Sequence, residues 1–213
     1  MITAPRRLPT RKDAVANRER LLVGAEEYFG EKGIDAPLHG LAEQVGVGVG
    51  TMYRNFATHA DLVRALHDRI MERFDEMTEK SLAAESAWDR IVEALVGTAV
   101  LLVDFPATGA ILRRQFENDP DHRPTLKYHH VLVDMVEQAI ADGDLRPDIT
   151  PIDVSTIPFT LGGLPSIEKE NRHGVAMRQV AIILDGLRAH PHEPSVLPPQ
   201  VRIAGAINEH DEG

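Results

Sequence analysis

The sequence has no cysteine. That excludes disulfides, thiolate-bound zinc, cysteine-ligated iron–sulfur clusters and a cysteine nucleophile. Aromatic side chains are scarce too, at 5% of 213 residues with Trp88 the one tryptophan, so a core must be built mainly from aliphatic side chains. No uncharged apolar run approaches the roughly 18 residues that cross a bilayer, and the longest candidate, Ala94 to Val103, falls well short. The stretch from Met1 to Leu22 is basic, with no apolar segment before a small-residue cleavage site. No secretory signal is therefore expected there, and the reading is of a soluble, cytoplasmic protein. Positive charge is also in deficit, with 23 Lys and Arg against 33 Asp and Glu for a net charge of −10. Taken whole, that balance argues against a polyanionic partner.

The deficit is unevenly spread. Up to Met71 there are ten basic and nine acidic residues, a charge of +1, which leaves −11 for the remainder. The first twenty residues alone hold six basic and two acidic side chains. This is the pattern of an N-terminal module that tolerates a polyanion, joined to an acidic body that does not.

What is present is helical periodicity. Val15, Leu22, Ala25 and Phe29 share one face of a first helix that Gly33 ends. A short helix runs from about Pro37 to Val45, with the proline suited to its first turn and Gly46 at its stop. A second short segment covers about Gly48 to Asn55. Thr58 then caps a long helix, with Asp61 at its third position and an apolar face of Val63, Leu66, Ile70, Phe74 and Met77. Further helices are expected at about 86–104, 107–116 and 122–142. Thr150-Pro151-Ile152-Asp153 opens a segment running to 167, and a last helix carries Ala176, Val180, Ile183, Leu184 and Leu187. Four prolines between residues 191 and 199 mark an extended tail from 190 onward. The fold class is all-α. The expected domains are a flexible basic arm (1–14), a helix-turn-helix head (15–66, its last helix running on to about 81), a helical body (67–189) and a tail (190–213).

Gly46-Val47-Gly48-Val49-Gly50 has the look of a phosphate-binding loop, but such a loop needs a strand before it, and the preceding residues are helical. It reads as a structural turn. Within a helix-turn-helix the same residues make sense. Leu38, Leu41 and Ala42 face the core, Gly46 takes the left-handed turn and Val47 plugs it. The second helix then offers Thr51, Tyr53, Arg54 and Asn55 to phosphates or base edges around buried Met52 and Phe56. On spacing alone, a generic pair of short helices with a solvated face is equally acceptable.

Three segments together resemble the N-terminal domain of TetR-type transcriptional regulators. They are Asn17 to Leu22 with Ala25, Tyr28-Phe29 and Glu31-Lys32-Gly33; Leu41 to Val47; and Gly50-Thr51-Met52-Tyr53-Arg54-Asn55-Phe56. The resemblance spans residues 16–66, and beyond it the chain matches the family only in helicity and length. It implies a homodimeric repressor with no catalytic activity and no cofactor, bound to double-stranded operator DNA and released by a small-molecule effector. Tyr53 and Asn55 match phosphate-contacting positions, and Val49, Gly50, Thr51 and Arg54 lie on the groove-facing part of the helix. Arg18, and Leu38 with His39 at the start of the turn motif, complete the implied interface. His59 stands where the family usually has Lys or Arg on a phosphate, Asn55 replaces the commoner His, and Pro37 replaces a Ser or Thr cap. These departures lower the expected affinity. The arm Arg6-Arg7 to Arg11-Lys12 either reaches along the duplex or serves as a solubilising tail.

In the body, Trp88, Phe105, Phe116, Tyr128 and Met135 are candidate walls of a ligand pocket, with plain core packing the alternative for each. Ile157, Leu161, Leu164, Val180, Leu184 and Leu187 are candidates for a dimer surface, which Gly162-Gly163 would let approach closely; an interior helix of a monomer is the alternative. No metal site is expected. His122 and His129 share a face but lie about 10 Å apart along a helix, and His129 and His130 are adjacent and diverge.

Overall fold

The structure, a computed structural model, describes residues 11–121, 127–160 and 167–189. The basic pair Arg6-Arg7, His122, Leu161, Gly162-Gly163, Leu164 and the tail from residue 190 lie outside the described residues. Nine α-helices run through those described: α1 (Arg11–Lys32), α2 (Leu38–Val45), α3 (Val49–Asn55), α4 (His59–Leu82), α5 (Ala87–Asp104), α6 (Thr108–Asn118), α7 (His129–Ala141), α8 (Pro151–Thr156) and α9 (Lys169–Leu187). No strand occurs among them beyond an isolated antiparallel bridge between Leu145 and Arg188.

The head is α1 to α3 with the first half of α4. Leu21, Ala25, Phe29, Leu41, Met52, Phe56, Leu62 and Leu66 bury together in one core. Gly33 (φ +85°) and Gly46 (φ +71°) take the left-handed backbone that closes α1 and α2, a conformation other residues reach only with strain. Thr58 and Asp61 form a reciprocal cap on α4, with the Asp61 amide 3.1 Å from the Thr58 hydroxyl and the Thr58 amide 3.0 Å from the Asp61 carboxylate. Two glycines allow the helices to close up. A Cβ on Gly24 would collide with Val45, and one on Gly40 would collide with the Tyr28 hydroxyl. That hydroxyl donates to the Pro37 carbonyl at 2.9 Å.

Two expectations about the head change. The first helix begins at Arg11, so residues 11–14 belong to it rather than to an arm. Val15 is 65% exposed, because α1 runs past the core and no side chain from Val15 to Arg20 is buried. Pro37 stands at the N-cap of α2 (φ −66°), the position at which it replaces a Ser or Thr cap, one residue before the first turn.

The body gathers α5, α7, α8 and α9. Trp88, Ile91, Leu95, Met135, Val136, Leu145, Val154 and Leu187 form its main core. Ala99 and Val103 on α5 pack separately against Ala176 and Val180 on α9. Thr150 and Asp153 cap α8 reciprocally, with Pro151 in its first turn, as the sequence predicts. The helix stops after Thr156, far short of 167. Pro158 has no amide hydrogen to continue the ladder. Likewise, α7 begins at His129 rather than near 122.

Val180 and Leu187, expected at a dimer surface, are each 5% exposed and belong to the protomer's own cores. Ile157 and Leu184 are partly buried against the body core, and Ile182, one turn from each of Arg178 and Gly186 on α9, is 43% exposed.

Head and body meet along α4 and α6. Ala107, at the N-cap of α6, and Ile111 within it enter the head core, and Arg114 of α6 reaches Asp35 after α1 at 2.8 Å. The buried Glu26 carboxylate accepts from Arg73 at 2.6 Å and lies 3.2 Å from the Arg69 guanidinium. Among the described residues, no single helix is long and apolar enough to cross a membrane.

Candidate functional site

The α2–turn–α3 unit is held from inside by Met52 and Phe56, which are 0% and 1% exposed. With those two anchored, helical geometry sends Val49, Gly50, Tyr53 and Arg54 outward. Val49 is 48% and Tyr53 49% exposed. A Cβ at Gly50 would meet nothing within 4 Å, so the protein's own packing does not require a glycine there. Arg54 is arranged along its helix, with Nε donating to the Gly50 carbonyl at 3.0 Å and Nη2 to the Thr51 hydroxyl at 3.0 Å. The Asn55 amide donates to the Thr51 carbonyl at 2.8 Å. The outer surface of α3 is therefore a small, pre-ordered patch of apolar, aromatic and cationic groups.

Two arginines of α1 fasten the motif. Arg20 donates to the Val45 carbonyl at the end of α2 (3.1 Å). Arg18 lies 4.5 Å over the Phe56 ring and donates to the Asn55 carbonyl that ends α3 (3.4 Å). Cations at helix C-termini satisfy free carbonyls and oppose the helix dipole. The capping role of Arg20 was missed in the sequence. Basic residues on α1 were visible there, but their targets lie 25 and 37 positions away.

Two of the ten interface candidates do not present a side chain. Leu38 is 7% exposed and packs in the head core, because α2 must turn its first apolar residue inward to meet α1. The Nε2 of His59 donates to the Ile34 carbonyl at 2.7 Å, and its ring lies 5.5 Å from Phe29. It joins the start of α4 to the loop after α1, so this ring nitrogen is not available to a phosphate. His39 is exposed beside the α2 N-terminus. Arg18, Val49, Gly50, Thr51, Tyr53, Arg54 and Asn55 remain exposed or half-buried around α3.

A second feature is a cavity of about 360 Å³ in the body, walled by α4, α5, α7 and α8 with Leu112 of α6. Of the predicted walls, Tyr128 and Met135 line it. Trp88 instead sits in the body core beneath the Arg188 guanidinium at 4.0 Å. Phe105 leaves α5 at its C-terminus (φ −127°) and packs under Arg73 at 3.6 Å. Phe116, in the last turn of α6, is 46% exposed. The walls that sequence reasoning missed are Phe74, Met77, Thr78 and Ser81 on α4, Ala94 on α5, and Val154 to Thr156 with Phe159 at α8. For α4 the signal was available: its apolar stripe continues through Phe74 and Met77 beyond what the head needs.

At the cavity edge, Lys127 Nζ sits 2.6 Å from Asp75, which also accepts from the Tyr128 hydroxyl at 2.8 Å. Those two donors hold the Asp75 carboxyl below its ordinary value. Burial and the neighbouring carboxylate push the Tyr128 phenol up.

Residues 21–66 match the model of the family described as bacterial regulatory proteins, tetR family. Over 65 residues the chain is 35% identical to HTH-type transcriptional regulators of Staphylococcus aureus, among them those of strains bovine RF122 / ET3-1 and COL. Each match takes in 30% of this chain and 35% of the relative, so the chain spans about a third of the length of these curated relatives. Among solved structures, a TetR transcriptional regulator from Streptomyces coelicolor is 26% identical (TM-score 0.55, covering 82% of this chain and 100% of that one). The ketosteroid transcriptional regulator KstR2 of Mycobacterium tuberculosis shares the fold at 19% identity (TM-score 0.62, 82% and 96% covered).

Proposed function

We propose, from the premise that residues 21–66 form a TetR-type helix-turn-helix domain, that this protein is a ligand-responsive transcriptional regulator and not an enzyme. A homodimer places two copies of α3 in successive major grooves of a palindromic operator. A small molecule in the body cavity shifts the population toward a spacing that no longer fits, which makes the protein a repressor. The observation that carries this reading is the outer face of α3. Val49, Tyr53 and Arg54 stand exposed beside a glycine whose missing side chain serves no internal contact. Apolar and guanidinium groups of this kind read thymine methyls and guanine edges. The −11 charge beyond Met71 opposes DNA approach everywhere except at this face.

Binding to DNA flanking the protein's own coding region tests the idea. Log affinity should fall linearly with log salt, and Tyr53→Ala should weaken all sequences similarly, by about 1 kcal/mol. Arg54→Ala should instead relax discrimination at one base pair. Salt-independent binding, or none, would sink the regulator. A second reading, a helical small-molecule-binding protein with weak or lost DNA affinity, draws on the internal roles of Leu38 and His59. A gel shift comparing the unaltered protein with Arg54→Ala separates the two.

A further inference from the structure

The body cavity specifies a chemical class of ligand. This inference rests on the proposed effector role and goes beyond it. Six hydroxyl-bearing residues line the cavity: Thr78, Ser81, Thr98, Tyr128, Ser155 and Thr156. Every one of their hydrogens is already directed elsewhere. Thr78 donates to the Phe74 carbonyl (2.8 Å), Ser81 to Arg90 (2.8 Å) and Thr98 to Ala94 (2.8 Å). Ser155 and Thr156 both donate to the Ile152 carbonyl (2.9 and 2.7 Å), and Tyr128 donates to Asp75 (2.8 Å).

A hydroxyl has one hydrogen and two lone pairs. Once the hydrogen is directed into the protein's own backbone, only lone pairs face the cavity. The hydroxyl groups of these walls therefore accept hydrogen bonds and do not give them. The rest of the lining is hydrocarbon, thioether and aromatic, from residues such as Met77, Leu132, Met135 and Phe159. Among the described residues, His129 is the one lining side chain that can carry positive charge, and it is exposed. Lys127, next in sequence to Tyr128, is paired with Asp75.

An anionic group entering here would meet oxygen lone pairs and no buried counter-charge, and would lose its hydration without replacement. A group that only accepts, such as an ether or ester, would also find no hydroxyl hydrogen. We infer that the cavity takes a neutral, mainly apolar molecule bearing a hydrogen-bond donor, an alcohol or N–H, and rejects carboxylates. The cavity's size of about 360 Å³ equals about a dozen water volumes at ~30 Å³ each, which lies toward the small end of ligand pockets.

The test uses the full chain and a neutral fluorescent probe, N-phenylnaphthylamine, displaced in turn by decanol, methoxynonane and decanoate at neutral pH. One probe should bind per chain. Decanol should displace it at concentrations at least about tenfold below decanoate and several-fold below methoxynonane, which has the same size and no donor. Converting Thr78 and Thr98 together to valine should narrow the alcohol–ether gap while leaving the apolar fit intact. Ala94→Trp, which fills the cavity, should abolish probe binding. Should that variant fail to fold, Ser155→Trp on the short α8 serves the same purpose.

Decanoate displacing as well as decanol would overturn the inference, as would an unaltered protein that ignores the probe or probe binding that survives both tryptophan variants. No step involves DNA. Loss of operator binding would therefore remove the regulator reading alone, and a preference for decanoate would remove the ligand class alone.

Discussion

The head and the body are built on opposite packing principles. In the head, two helix contacts have no room for a Cβ, at Gly24 against Val45 and Gly40 against the Tyr28 hydroxyl. In the body the helices stand apart far enough to leave about 360 Å³ between them. A close-packed unit fixes the position of a reading surface, because side chains locked against one another have one arrangement. A unit with a void lacks that constraint, and it gains stability when something fills the space. Under the proposed function, the contrast is between a unit that presents a fixed face and one that leaves room for a guest, within one chain.

The comparison can be broken most forcefully at Phe56. Phe56→Ala removes the largest fully buried side chain of the head and the ring beneath Arg18. It should cost about 3–5 kcal/mol. Since α4 carries head-core residues at Leu62, Val63 and Leu66 and cavity residues at Phe74 and Met77, calorimetry should show one transition moving down as a whole. Two separating transitions would mean that the head and body are independent.

The next largest effect belongs to the charged junction. Glu26→Gln leaves Arg73 facing a neutral amide in a mostly buried setting and leaves Arg69 with Glu19 alone, to which its Nη1 donates at 2.6 Å. It should destabilise by about 2–3 kcal/mol, discounted from the cost of breaking a fully buried pair because the arginines are partly solvated. Urea unfolding reads this directly. No loss of stability would show that the junction is decorative.

A smaller effect separates the body by pH. Asp75 is held below its ordinary 3.8 by Lys127 and Tyr128. A carboxylate whose value falls on folding adds stability above the unfolded value and surrenders it as pH drops through the lower folded one. Stability should therefore decline below about pH 3.8, and Asp75→Asn should remove part of that acid limb. An unchanged acid limb in the variant would show that the clasp at the cavity edge contributes nothing. The smallest effect is expected at Gln115 on α6, 3% exposed with an Oε1 that meets no donor among the described residues. Gln115→Met should leave the thermal midpoint unchanged or raise it, by up to about 1 kcal/mol of added stability. A loss above that would mean the amide is held by partners that matter.

Legibility in the sequence followed how local each determinant is. The helix-turn-helix was readable because its instructions are short-range: Gly46 for the turn, Met52 and Phe56 four apart as anchors, and Thr58 with Asp61 for the cap. The caps at Thr150–Asp153 were readable for the same reason. What escaped were pairings across long separations. His59 looked like a surface group because nothing nearby announces the Ile34 carbonyl 25 residues earlier. Leu38 was assigned to an interface by its place in a motif, whereas tertiary packing buries it. Phe105 and Trp88 were reasonable pocket walls by hydrophobicity, but each is covered by an arginine from another part of the chain. The cavity's α4 wall was missed because α4 was counted with the head, although the helix serves both regions.

Glu26 has a mechanical consequence. Arg69 and Arg73 sit one turn apart on α4, and both converge on this one carboxylate of α1. Turning α4 about its axis by a single residue, about 100°, would carry both guanidiniums away together, and sliding it by one turn would offer Arg69's place to Arg73 and leave one arm empty. The two helices are thus keyed like a shaft on a spline. A turn or tilt of α4 must therefore either carry α1 with it or give up both contacts at once.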